Sequence, residues 1–316
     1  MRAVLRKAFL SILVFTVVVS ASLLAMGERF EGMGMRPASW LVPDIDDLYY
    51  VTTMSQGGLA AGYCYTDGNH LGFAGLNLGF VNLVGGISKD ASGTLYIAGA
   101  GLAWGRLGVG ISIASSSFEA GNVAVDGGIA SKELFLLGKI TFPHVALKTD
   151  MISDEIKSRL DAEEYRLDAV ARLHLGEALL LSASYSDDRP KGETSLAALV
   201  GLTLAINHAY EKPVSKYYSK TEYQKLPTMI AGVYERTESL DTARERVGIV
   251  AEGIVRPAIV LRAGIFAVKE EEGYDHYETF FGAGLIFSNL RVDVNLTGFS
   301  GFETLALEIT LDGRKF

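Results

Sequence analysis

The sequence predicts an all-β chain, a transmembrane antiparallel up-and-down β-barrel of about 14 strands, in a range of roughly 12–16. Three observations lead there. The chain opens with an export signal. The remaining residues alternate apolar and polar over segments longer than the usual soluble strand. Beyond Ala25 there is no apolar run of the roughly 18 residues that a membrane helix needs. An exported chain of this kind is either soluble or meets the membrane as a barrel.

The leader occupies residues 1–26. Arg2, Arg6 and Lys7 precede an uncharged run from Ala8 to Ala25, and Val19-Ser20-Ala21 and Leu23-Leu24-Ala25 are cleavage sites of small residues. A retained anchor is the competing reading, and Ser20, Ala21 and Ser22 favour processing. No Cys directly follows the apolar run, which excludes a lipoprotein. Residues 27–56 come next and show no period. They hold Met33, Met35, Trp40 and Asp44, and are read either as a plug inside the barrel or as a periplasmic leader.

The barrel itself is expected over 57–316. Strands are read near 57–66, 71–88, 94–104, 106–118, 131–144, 162–175, 177–187, 193–207, 226–238, 245–256, 258–270, 276–287, 289–298 and 302–316. The second of these is one strand, or two short ones about Gly79. Leu290 to Thr297 shows the pattern best, with every even position apolar and every odd position polar. Tyr165 to Leu175 repeats it with the opposite parity. Between these strands Asp150 to Glu163 is a helix candidate, capped by Ser153, with Ile152, Ile156 and Leu160 every four residues and Glu155–Arg159 as a pair. It is read as a lid over the pore or a folded surface loop. Ala209 to Lys225, with four Tyr, four Lys and two Glu, is read as a solvated loop with interfacial Tyr, or else as a basic aromatic stretch that grips anionic lipid, glycan or nucleic acid.

If the apolar parity faces lipid, the other faces the lumen. That set contains Arg166, Asp168, Arg172, His174, Arg246, Glu252, Arg262, Glu278, Arg291, Asp293 and Glu308. It is read either as a charged pore lining that filters solutes or as a salt-bridged, largely filled interior. A strongly apolar lumen is not expected. Tyr63, Tyr65, Trp104, Phe118, Phe142, Tyr165, Tyr185, Tyr234, Tyr277, Phe287 and Phe299 fall near strand ends, as in an interfacial girdle.

Composition removes other classes. The 316 residues are 49% apolar and 21% charged, which excludes a disordered chain, and 35 Gly without a period beside 7 Pro exclude collagen. A single Cys excludes an internal disulfide or a Cys-based zinc site. Net charge is −8, and without the three bases of the leader it is −11, so nucleic acid is not an expected partner. The five His have no metal spacing and no Gly-x-Ser-x-Gly occurs. Asp187-Asp188 with Asp275-His276 is the remaining hydrolase reading. No enzyme, cofactor or metal is expected.

The chain ends on Phe316, and a last strand closing on an aromatic resembles bacterial outer-membrane barrels. That resemblance implies Phe316 as a membrane-insertion terminus, with the outer-membrane assembly machinery and the lipid bilayer as partners. Here Arg314, Asp312 and Thr310 hold the alternate positions, so the apolar set Leu305 to Leu311 has the other parity. A second similarity is to the fourteen-stranded long-chain fatty-acid transporter-like barrels. It rests on Met35-Arg36-Pro37-Ala38-Ser39-Trp40, Asp44 and Leu48-Tyr49-Tyr50, succeeded by Val51-Thr52-Thr53 where that family has Asn-Pro-Ala. Together they imply a porin-like protein of the outer membrane of a double-membraned bacterium, passing small solutes. The alternative is a structural or assembly barrel that anchors partners through its loops.

The facing assignment has a direct test. Val294→Arg should lower barrel stability by about 2–4 kcal/mol if the position sits near the bilayer midplane, and Asn295→Arg should be tolerated. Refolding into detergent micelles, and then denaturant titration, measures both.

Overall fold

Sixteen strands pair in chain order, and the last returns to the first, in the computed structural model. It describes residues 59–312 apart from 67–68, 91–92, 118, 132, 148–151, 216–217, 241, 257–258, 271–275, 288–289 and 298–303. The strands are β1 (Leu59–Thr66), β2 (Asn69–Asn77), β3 (Val81–Asp90), β4 (Gly93–Trp104), β5 (Leu107–Ser115), β6 (Ala120–Ala130), β7 (Leu134–Ala146) and β8 (Arg166–Leu175). They continue as β9 (Leu179–Asp188), β10 (Glu193–Ser215), β11 (Tyr218–Glu238), β12 (Ala243–Arg256), β13 (Ile259–Lys269), β14 (His276–Phe287), β15 (Leu290–Thr297) and β16 (Thr304–Asp312). Closure runs from Ala60↔Asp312 to Thr66↔Ala306. It leaves no sheet edge around the wall.

Among the described residues the count is sixteen, at the upper end of the expected 12–16 and above its centre of about 14 for two reasons. The 71–88 segment is two strands, turning where Gly79 takes a φ of +94. The turn is held by Gly79 N–H donating to Asn77 Oδ1 at 2.9 Å. The other addition is β6, which is absent from the strands read in the sequence. Its residues AGNVAVDGGIA have too few large apolar side chains to show the period. Gly128 is there for a close approach: a Cβ would lie 2.6 Å from Leu137 Cδ2 on the paired strand.

The two ends differ. On the end that holds the start of β1 and the end of β16, connections are 78–80, 105–106, 131–133, 176–178, 216–217, 257–258 and 288–289. Those of the opposite end are 67–68, 91–92, 116–119, 147–165, 189–192, 239–242, 270–275 and 298–303. Apart from 67–68 and 91–92, short connections at one end and longer ones at the other follow the usual pattern of outer-membrane barrels. One further hairpin departs from it. The 209–225 segment is not a loop: β10 pairs with β9 only as far as Leu202, and β11 with β12 only from Thr228. Beyond these points β10 and β11 pair with each other as far as Ser215↔Tyr218.

The wall has two unlike faces. Leu102, Trp104, Val109, Ile111, Leu136, Leu173, Val200, Leu202, Ile249, Leu261, Ile265 and Leu285 are exposed, with Ile249 at 60% and Val200 at 57%. Their neighbours of the other parity, such as Ser182, Ser184 and Ser186 on β9 or Val260, Arg262, Phe266 and Val268 on β13, are buried. Period-two alternation thus sorts apolar residues outward, the reverse of a soluble protein.

The helix, α1 (Ile152–Asp161), covers part of that outer face. Ile152, Ile156 and Leu147 pack against Val123, Phe142, Val145, Ile113, Ile140 and Tyr165. Ile113, Val123 and Ile140 share the outward parity of Ile111, Val125 and Leu136, so α1 lies outside the wall and is no lid over the pore. Phe142 and Tyr165, expected in a girdle, are instead stacked beneath it with ring centroids 6.4 Å apart. Ser153 sits inside the first turn rather than at the cap. Arg159 bonds Glu164 Oε2 at 2.5 Å and donates to the His144 carbonyl at 3.2 Å. His144 is left-handed, with φ at 51, next to a register shift between Gly121 and Val123. The bulge and Arg159 together fasten the loop to the rim.

Ile156→Asp should therefore release α1 while leaving the barrel closed. The expected result is new protease cleavage within 147–165 and unchanged heat-modifiable migration of the folded barrel.

Candidate functional site

The lumen-facing charges come from one parity of many strands, and pairing register decides which of them meet. β11, β12 and β14 bring together Glu235, Arg246, Arg244 and Glu278. Arg246 Nη1 donates to Glu235 Oε2 at 2.5 Å, and Arg246 Nη2 lies 2.9 Å from Glu278 Oε2. Arg244 pairs with Glu278 and, at 3.3 Å, with Glu270. The Arg246 and Glu235 side chains are only 4% and 3% exposed. The Arg246 guanidinium also lies 4.3 Å from the Phe266 ring centroid, and Phe266 meets Phe280 edge-on at 6.0 Å. Phe266 needs the absence of a side chain at Gly248, where a Cβ would fall 2.5 Å from its ring. A backbone glycine, an aromatic and an ion pair form one unit.

A second group spans β6 to β9. Asp126 pairs in register with Lys139, Lys139 with Asp168, and Asp168 with Ser186. Asp168 Oδ1 accepts from Arg166 Nε at 2.9 Å and from Ser186 Oγ at 2.8 Å. Arg172 is 1% exposed and lies 4.3 Å from the Phe135 ring centroid. Arg262 Nε donates to Glu252 Oε2 at 2.7 Å across the β12–β13 register. His174 and Glu252 line a cavity of about 200 Å³ at the end of the barrel that holds the start of β1 and the end of β16, with Leu180, Thr203 and Met229.

The second group belongs to a longer row that ends on Arg244 of the first. Asn77, Asn82, Gly101, Gly110, Asp126, Lys139, Asp168, Ser186, Ser195, Thr237 and Arg244 are directly paired, strand after strand, from β2 to β12. Asn77 Nδ2 donates to Asn82 Oδ1 at 2.6 Å, and Ser195 and Thr237 hydroxyls are 3.2 Å apart. Asn77 ends β2 on the side of the tight turns, whereas Thr237 and Arg244 flank the 239–242 loop at the other end. A row perpendicular to the strands climbs the barrel because the strands are tilted.

The interior is not charged throughout. Leu137, Val170, Leu180, Ala197, Leu199, Met229, Ala231, Val233, Val250 and Phe266 form an inward apolar cluster with Phe135 and Ala130. Sequence parity emphasises the charges and passes over this patch. Asp126, Lys139, Glu235 and Arg244 are further inward charges outside the expected set. Asp126 goes with the unrecognised β6, whereas Lys139 is legible from the parity of β7 and Glu235 from that of Met229, Ala231 and Val233.

Of the other expected positions, Arg291, Asp293 and Glu308 are placed by register alone: Arg291↔Thr310 and Asp293↔Glu308. Met33, Met35, Trp40, Asp44 and Phe316 lie outside the described residues. Asp187 and Asp188 bond Arg189 and Lys191 at their own turn, and His276 lies 3.5 Å from Glu278.

No family model matches the sequence, and no curated protein does. Among solved structures the chain is similar to a bacterial polysaccharide outer membrane secretin at 10% identity, TM-score 0.48, covering 82% of this chain and 99% of that one. It is also similar to a triple mutant of the Rhodopseudomonas blastica porin at 13% identity, TM-score 0.46, covering 81% and 99%. At these identities and scores neither bears on function, and the sixteen strands found here depart from the fourteen that the fatty-acid transporter-like resemblance implies.

The Glu235–Arg246 pair is buried enough to test energetically. Arg246→Ala should cost about 3–5 kcal/mol by removing the buried guanidinium that Glu235 and Glu278 share. Replacing both by apolar residues of similar volume should restore most of it. Urea unfolding of the micelle-embedded protein distinguishes the two.

Proposed function

We propose that this chain is an outer-membrane channel through which small polar solutes diffuse passively. The observation that carries the reading is the closed wall with an apolar exterior and a charged, hydrogen-bonded interior. In hydrocarbon every backbone N–H and C=O must be paired within the protein, and a closed barrel achieves this. Leu, Val and Ile side chains exposed on its outer parity are then solvated by lipid rather than left in water. The inward Arg and Glu residues stay hydrated or paired, and a solute passing them meets both signs of charge.

The location that fits is the outer membrane of a double-membraned bacterium. The leader would direct export, and the assembly machinery would insert the barrel with its tight turns on the periplasmic side. Its partners are then the bilayer, that machinery and the solutes. No catalytic step, cofactor or metal is invoked.

Purified protein reconstituted in a planar bilayer should give discrete conductance steps. Arg244, the most exposed base of the Glu235–Glu278 group, is the position to vary. Arg244→Gln should shift selectivity toward cations while the protein still folds. Inserted, folded protein that stays silent at every voltage would remove the channel reading.

A further inference from the structure

The cavity of about 200 Å³ beside His174 has two unlike sides. One is apolar: Leu180 and Met229 are buried members of the inward cluster, and Leu179 and Ile254 adjoin them. The other is polar, with His174, Glu177, Thr203 and Glu252, and no Lys or Arg is among the described lining residues. Register builds the site. Thr203, Met229 and Glu252 are directly paired across β10, β11 and β12, and His174 is opposite Leu180 across β8 and β9. Thr203 N–H donates to the Ala178 carbonyl at 2.7 Å, which pins the turn that carries Glu177 against β10. Arg262 Nε donates to Glu252 Oε2 at 2.7 Å, and the Arg262 side chain is fully buried. The Glu252 carboxylate is thus fixed in place, whereas Glu177 is exposed at the turn.

Size and chemistry select the occupant. An apolar cavity of about 150 Å³ takes up a benzene ring, so this one has room for a ring with a short head group. Water finds few partners against Leu180, Met229 and Ile254, and its displacement by an apolar group favours binding. The Met229 thioether suits the edge of an aromatic ring. On the polar side an anionic head would meet the carboxylates of Glu177 and Glu252, with Arg262 already engaged by the second. A cationic head meets the same two carboxylates as charge-assisted acceptors, together with the Thr203 hydroxyl.

We propose that this cavity binds small amphipathic amines, in which a compact apolar or aromatic body carries one ammonium group. The body lies on Leu180, Met229 and Ile254, and the ammonium is taken by Glu252 and Glu177. The proposal rests on the channel reading only in making such amines a solute class held at this mouth of the lumen. The binding itself needs no conduction.

The test is calorimetric titration of the full-length mature protein in detergent micelles, with the uptake by empty micelles subtracted. Benzylamine is the probe. Benzoate, of similar size and opposite charge, should bind about tenfold more weakly or worse. Methylamine, which lacks the apolar body, should bind more weakly by a similar factor. Thr203→Phe, which fills the cavity from an inward position, should abolish benzylamine binding. Glu177→Gln, at an exposed turn, should weaken it about threefold. Both variants should keep the heat-modifiable migration of a folded barrel. Wild-type protein that gives no heat with benzylamine, or that binds benzoate or methylamine as tightly, would overturn the proposal. So would either variant binding benzylamine like wild type. Silence in a planar bilayer is a separate result, which removes the channel reading and leaves the titration standing.

Discussion

Everything in this molecule depends on the need to pair every backbone polar group of the wall without help from water. A sheet can do that in hydrocarbon only by having no edge. The β1–β16 pairing supplies the closure. Closure then dictates the side-chain code, because successive residues alternate between two different media. That is why Leu261 and Ile265 are exposed while Arg262, lying between them, is buried. The same constraint accounts for the treatment of loops. Where the outward parity is covered rather than left to lipid, as at Val123 and Phe142, a helix has to be brought in and fastened by Arg159 and the bulge at His144.

Inside the wall the problem is reversed. Charges must be satisfied in a confined space, and they are satisfied by nearby positions of the wall. Glu235 and Glu278 share the Arg246 guanidinium, Asp168 collects Arg166 and Ser186, and Glu252 takes Arg262. Glu235 and Arg246, Asp168 and Ser186, and Glu252 and Arg262 are directly paired in register, Arg166 and Asp168 are two apart on one strand, and Arg246 reaches Glu278 across β13. Aromatics complete the sets: Phe135 faces Arg172, and Phe266 faces Arg246. The glycine at 248 leaves the room that Phe266 occupies in this unit. The apolar cluster around Leu199 and Val250 shows that the inner face is zoned rather than uniformly wet.

The barrel class is legible in the sequence because alternation is imposed residue by residue, and strands such as Leu290–Thr297 and Arg166–Leu175 obey it closely. Features written in small residues or in pairing are not legible in the same way. β6 is rich in glycine, so its period is faint even though its Asp126 is part of the charge row. The hairpin beyond Leu202 carries polar residues on both faces, which makes a strand look like a loop. The side on which α1 packs depends on a bulge that no local pattern announces. Parity locates many of the inward charges, but their partners depend on register, and register is a property of two strands at once.

The row from Asn77 to Arg244 has a geometrical corollary. Its members are nearest neighbours across the sheet, yet they begin at one rim and finish at the other. The polar track is thus a thread cut into the inner surface, with the hand of the strand tilt. Asn82, Asp126, Lys139 and Asp168 are buried along it, so the thread is a seam of the wall, one that couples eleven strands from one rim to the other.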